Sequence, residues 1–182
     1  MSNTNQTVIQ QTKNWVEEIV IGLNLCPFAS LPFKNETIEY TVNSGESTEQ
    51  HLHQLADSFS KLDNTTNIET SLLIYPDAYQ KFDDYLELLH LANLLLEDLN
   101  YSGIYQLASF HPDYRFAGSA EDDASNFSNR SPYPMLHLIR ESDLEKALAS
   151  YQNIEQVPEN NIKKLREIGY QEMQKKLKKL TA

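Results

Sequence analysis

Cysteine occurs once in the 182 residues, as Cys26, so no disulfide can form within the chain. A zinc site built on several thiolates is excluded for the same reason. Only five glycines are present. Neither GxxxxGKS/T nor GxGxxG occurs, so phosphate-cradling loops of those types are absent. GxSxG, HExxH and the protein-kinase signatures are missing as well. No apolar run approaches the roughly 20 residues that a membrane-spanning helix needs. The most leucine-rich block, Leu86 to Leu99, is interrupted by Glu87, His90, Asn93, Glu97 and Asp98. Positive charge is scarce: 15 Lys and Arg stand against 26 Asp and Glu, a net charge of −11. That balance argues against a nucleic-acid binder, which needs a basic face to displace counterions.

The N-terminal stretch MSNTNQTVIQQTKNW lacks the basic start, apolar core and small-residue cleavage site of a secretory signal. A cytosolic location with no membrane contact is therefore expected, and a lone thiol suits a reducing compartment. Hydrophobic residues make up 40% and charged residues 23%, which fits one globular domain over residues 1–182.

Periodicity supplies the elements. Val8, Ile9, Trp15, Val16, Ile19 and Val20 share a helical face between Asn5 and Gly22. Pro27 and Pro32 should keep that helix from continuing. Thr37 to Val42, Thr70 to Tyr75, Ile104 to Phe110 and Met135 to Arg140 read as strands. A helix is expected from Ser47 to Leu62, with Ser47 and Gln50 resembling a capping box. Asp77 is the expected N-cap of a long helix to Leu99, closed by Gly103. Ser142 opens a short helix to Tyr151, and a basic amphipathic helix spans 158–180. The order predicts an α/β (or α+β) fold: one four-stranded sheet with flanking helices in a three-layer or two-layer sandwich. A ferredoxin-like arrangement fits the same order nearly as well.

Between the last two strands lies His111 to Pro134, HPDYRFAGSAEDDASNFSNRSPYP, with no clear helical or strand period. Loops this long inside compact domains are usually functional or disordered, and the aromatic content argues against disorder. Arginines occur only at 115, 130, 140 and 166, so the loop holds two of four. A guanidinium is a planar fork suited to carboxylate or phosphate. Arg115 and Arg130 either bind a small anion or pair with Glu121, Asp122 and Asp123 to pin the loop. His111 directly follows a strand, where ligands of α/β sheets tend to bind. Its near-neutral pKa suits acid–base work, with Asp113 to orient it. The alternative is a histidine hydrogen-bonded in a turn. His51 and His53 do not share a helical face, His90 is expected near the core, and His137 buried in its strand.

Cys26 is either a small buried hydrophobe or a nucleophile. It follows a helix C-terminus, whose partial negative charge disfavours a thiolate, so activation would have to come from His111 or an arginine. A Cys-Pro pair also ligates haem iron in some proteins. The cluster His111, Asp113, Glu121, Asp122 and Asp123 has oxygen donors for a hard cation, without recognisable ligand spacing.

Three segments, NLCPFA (Asn24 to Ala29), FHPDYRFAG (Phe110 to Gly118) and NRSPYPMLHLIRE (Asn129 to Glu141), together resemble bacterial proteins grouped as domain of unknown function 1415. The resemblance implies a single domain of this length and brings no activity with it.

The leading expectation is a small enzyme acting on a small anionic metabolite or peptide. Arg115 and Arg130 would bind the anion, beside Tyr114, Ser131 and Tyr133. His111 and Asp113 would move the proton, and Cys26 would be the nucleophile. A ligand- or partner-binding module without chemistry, a metal- or haem-binding protein, and an accessory protein docking through the last helix are the alternatives. The sequence assigns no cofactor and no oligomeric state.

Overall fold

The four strands are β1 (Ile38–Val42), β2 (Thr70–Ile74), β3 (Tyr105–Phe110) and β4 (Met135–Arg140). In the computed structural model, which describes residues 3–150 and 154–181, they form one sheet in the order β1-β2-β4-β3. β1 and β2 run parallel, with Ile38 opposite Thr70 and Val42 opposite Ile74. β4 lies antiparallel to both β2 and β3. The chain order β-α-β-α-β-β differs from the β-α-β-β-α-β of a ferredoxin-like fold. The parallel pair follows from the helix α3 (Thr48–Asn64) that connects β1 to β2.

Successive strand residues point to opposite faces, and both faces are apolar. Leu72, Ile74 and Met135 face one way, against Val8, Trp15, Val16 and Ile19 near the N-terminus and Leu165, Met173 and Leu180 near the C-terminus. Leu73, Tyr75, Tyr105, Leu136 and Leu138 face the other way, against Leu55, Phe59 and Leu62 of α3. Tyr85, Leu88, Ala92 and Leu96 of α4 (Phe82–Asp98) complete that second core. The result is three layers, with helices on both faces of an open mixed sheet.

The first helix comprises α1 (Asn3–Trp15) and a π-helical turn over Val16–Ile21. Gly22 ends that wide turn at close quarters: a Cβ there would lie 2.4 Å from the Glu18 carbonyl oxygen. A short α2 (Ser30–Lys34) follows and contains Pro32. Proline is tolerated because it sits in the first turn, where its missing N–H has no intrahelical partner anyway. At the start of α3, Ser47 accepts from the Gln50 N–H at 3.3 Å, and Gln50 Oε1 accepts from the Glu46 N–H at 2.7 Å. The expected cap is therefore present, with the return bond one residue earlier than in a standard capping box.

Two boundaries differ from expectation. The long helix α4 spans Phe82–Asp98 after Lys81, so Asp77 does not cap it. Tyr79 stands between them in the left-handed region (φ 57°). The helix closes through Asn100 (φ 61°), three residues before Gly103. The single helix expected over 158–180 is two, α6 (Val157–Ile168) and α7 (Tyr170–Lys179), broken at Gly169. Between β4 and α6 lies α5 (Glu141–Ser150); the expected end of this helix at Tyr151 lies outside the described residues. The loop 111–134 contains one 3₁₀ turn, Ala124–Ser128, against which α6 packs.

Candidate functional site

His111 is buried, its ring 5.2 Å from those of Phe82 and Tyr85. Its Nδ1 accepts from the Asp113 N–H at 2.9 Å, which fixes the other nitrogen as the donor. Nε2–H donates to the Tyr79 carbonyl at 2.9 Å. Both ring nitrogens are thus engaged with backbone, and burial pushes the pKa below the ordinary histidine value. Asp113 orients the ring through its amide rather than its carboxylate, which is exposed.

Arg130 is also buried. Its Nε donates to the Tyr114 carbonyl at 3.1 Å and one terminal nitrogen to the Glu121 carbonyl at 2.8 Å. The guanidinium carbon lies 4.9 Å from the Phe127 ring centre and 5.4 Å from that of Tyr170. It pins the loop, through carbonyls instead of the acidic side chains expected. Arg115 is exposed. Tyr114 packs edge-on to Phe82 and Phe116. Ser131 is buried and donates to the Tyr133 carbonyl at 2.6 Å. Tyr133 bonds Gln11 of α1. These side chains order the loop; they do not converge on one concavity with Cys26.

The reason is strand geometry. Phe110 and His111 are neighbours in extended chain and point to opposite faces. Phe110 packs on Trp15, with ring centres 5.1 Å apart, while His111 packs on α4. Cys26 lies on the Phe110 side, so the expected Cys26–His111 arrangement is not formed.

What Cys26 does meet is a cleft of about 630 Å³. Its walls come from the turn after the π-helical segment (Leu25, Cys26), the loop stretch Phe116 to Ala120, the 3₁₀ turn (Ser125, Ser128, then Asn129) and α6 (Asn161, Ile162, Arg166). Trp15 steadies this arrangement, its indole N–H donating to the Arg130 carbonyl at 3.0 Å. α6 is held over the cleft by side-chain bonds to the turn below. Asn161 Nδ2 donates to the Leu25 carbonyl and Lys164 Nζ to the Leu23 carbonyl, both at 2.7 Å. Arg166 grips Asp123 with two bonds, at 3.1 Å and 2.6 Å. That pairing, with the Ser125 N–H, holds the Asp123 carboxyl well below the usual range. Burial raises the Cys26 pKa above the ordinary thiol value, only partly offset by the N–H groups of Phe28 and Ala29. The thiol is therefore protonated at neutral pH, and Arg166, the cation in the same cleft, is paired with Asp123.

A model of the family described as "Protein of unknown function (DUF1415)" matches residues 7–175. The chain belongs to this family. No curated protein and no solved structure matches it. In this DUF1415 chain the three segments noted in the sequence converge on the cleft. The first supplies Leu25 and Cys26, the second Phe110 and Phe116 to Gly118, and the third Asn129.

Among the described residues no group of three or more His, Cys, Asp or Glu is placed to hold a metal ion. No helix among them is long and apolar enough to cross a membrane. Sequence reasoning missed Arg166, Asn161 and Ser128, which line the cleft, and the pair His51–Tyr79. The His51 Nδ1 accepts from the Tyr79 hydroxyl at 2.6 Å, and Nε2 donates to the Gly45 carbonyl at 2.9 Å. Tyr79 therefore bridges two histidines, one through its hydroxyl and one through its carbonyl.

Proposed function

We propose that this protein binds a small molecule in the cleft between the Cys26 turn, the β3–β4 loop and α6, as a binding module rather than a thiol enzyme. The observation that carries the reading is the cleft itself. Its volume of about 630 Å³ falls within the range typical of ligand sites. Its lining combines apolar residues (Val20, Leu25, Phe110, Phe116, Val157, Ile162) with polar ones, among them Ser125, Ser128, Asn129 and Asn161. Such a lining suits an amphipathic ligand, with burial of its apolar part supplying affinity and a few polar groups fixing its orientation.

Nucleophilic catalysis is the weaker reading. It needs a thiolate and a base within reach. Burial keeps the Cys26 thiol protonated, and His111 faces the other side of the sheet with both nitrogens engaged.

Filling the cleft tests the proposal. Ser128→Phe places a ring among the lining residues. Small amphipathic molecules that raise the melting temperature of the wild type are expected to lose that effect in the variant. The variant's own melting curve shows that it remains folded. Equal ligand-induced shifts in both proteins would place binding elsewhere.

A further inference from the structure

Among the described residues the cleft has one cationic and one acidic side chain in its lining, Arg166 and Asp123, and they are bonded to each other. We infer that this pair selects the ligand class: Arg166, oriented by Asp123, receives the carboxylate of a small molecule whose apolar body fills the cleft. The inference rests on the cleft reading above.

Three observations carry it. First, Asp123 engages Nε and one terminal nitrogen of Arg166, which leaves the other terminal nitrogen and its two N–H groups for a second acceptor. The side chain is 59% exposed, so that edge is accessible. Second, Asp123 is held independently of Arg166, because its Oδ1 also accepts the Ser125 N–H at 2.9 Å as the cap of the 3₁₀ turn. The guanidinium is therefore oriented by an anchored carboxylate and loses little freedom when a ligand arrives. Third, apolar side chains share the cleft with it: Ile162 stands one turn before Arg166 on α6, and Val157, Phe116 and Leu25 line the same space.

Charge narrows the class further. The Arg166–Asp123 pair is neutral, and Glu159, Lys163 and Glu167 line the adjoining groove on α6 with Arg166. The molecule carries a net charge of −11. A monoanion adds one negative charge beside Asp123, whereas a phosphate dianion adds nearly two and meets correspondingly more repulsion. A monocarboxylate on an acyl or aryl body is the chemistry that fits. The anion expected at Arg115 and Arg130 is thus assigned to an arginine of the basic amphipathic segment near the C-terminus.

Calorimetric titration with phenylbutyrate and its neutral counterpart phenylbutanol tests this. The wild type is expected to bind the acid about tenfold or more tightly than the alcohol, as charge-assisted bonds require. Arg166→Gln is expected to bring the ratio close to one. Asp123→Asn, which removes the carboxylate that orients the guanidinium, is expected to weaken the acid severalfold and leave the alcohol unchanged. A purely structural ion pair would instead weaken both probes in both variants, and that result would overturn the inference. Raising the salt concentration needs no variant: it is expected to weaken the acid and spare the alcohol. An equal salt response, equal affinity for the two probes, or binding of neither would also overturn it. Failure of the cleft reading is distinguishable, because both probes would then bind Ser128→Phe as they bind the wild type.

Discussion

At the scale of the residue, His51, His111 and His137 show how imidazoles serve this fold as neutral parts. Each has its pKa lowered chiefly by burial, and that of His137 falls to about 4. His137 Nε2–H donates to the Thr70 hydroxyl at 2.6 Å, which in turn donates to the Leu138 carbonyl. Because the folded pKa lies below the unfolded value near 6.5, the unfolded chain takes up the proton first as the pH falls. Stability is therefore complete above pH about 6.5 and is lost progressively on acidification, His137 contributing up to about 3 kcal/mol by pH 4. Asp63 and Asp123, both lowered by their partners, add losses that begin only below about pH 4. Urea midpoints are expected to fall steadily between pH 7 and pH 4.5, and His137→Gln to flatten that fall; a midpoint constant over this range would contradict the assignment. His137 was legible as a strand residue, and it is half-buried there. His90 was not: it was expected near the core and is exposed. Arg130 was legible as exceptional from its scarcity. Its role was not, because its acceptors are main-chain carbonyls, which leave no mark in a sequence.

Elements were legible wherever a hydrophobic period ran unbroken, and all four strands fall within one residue of their expected bounds. They were misread where a distant partner imposes a local conformation. Tyr79 takes a left-handed backbone where His111, just after β3, and His51 of α3 hold its carbonyl and hydroxyl. No local signal near Asp77 announces that. Gly169 lies inside the single helix expected over 158–180, yet it separates α6 from α7 at φ 86°, ψ 153°. That region is almost closed to residues with a Cβ. Nothing lies within 4 Å of where the Cβ would be, so the cost of substitution is in the backbone alone. Gly169→Ala is expected to destabilise the protein by about 1–3 kcal/mol in urea titrations. A neutral effect would mean that the break is not needed to seat Tyr170 against Phe127 and Arg130.

At the scale of the whole molecule, the sheet decides what can meet. It separates His111 from Cys26, and it brings the Cys26 turn together with the β3–β4 loop and α6 on the opposite side. Alternation between neighbouring residues carried the first half of that outcome in principle. The second half depended on how α6 returns across the sheet, bringing basic charge to an acidic body. Residues 1–157 hold 8 basic and 23 acidic side chains, the remainder 7 and 3. The Arg166–Asp123 pair is one place where the two parts join. The most direct test of the account is a nuclear magnetic resonance titration of the labelled protein with phenylbutyrate. The largest shifts are expected at the amides of Cys26, Gly118, Asn129 and Asn161. Shifts centred on Tyr79, His111 and Asp113 would put the ligand on the other face and contradict it.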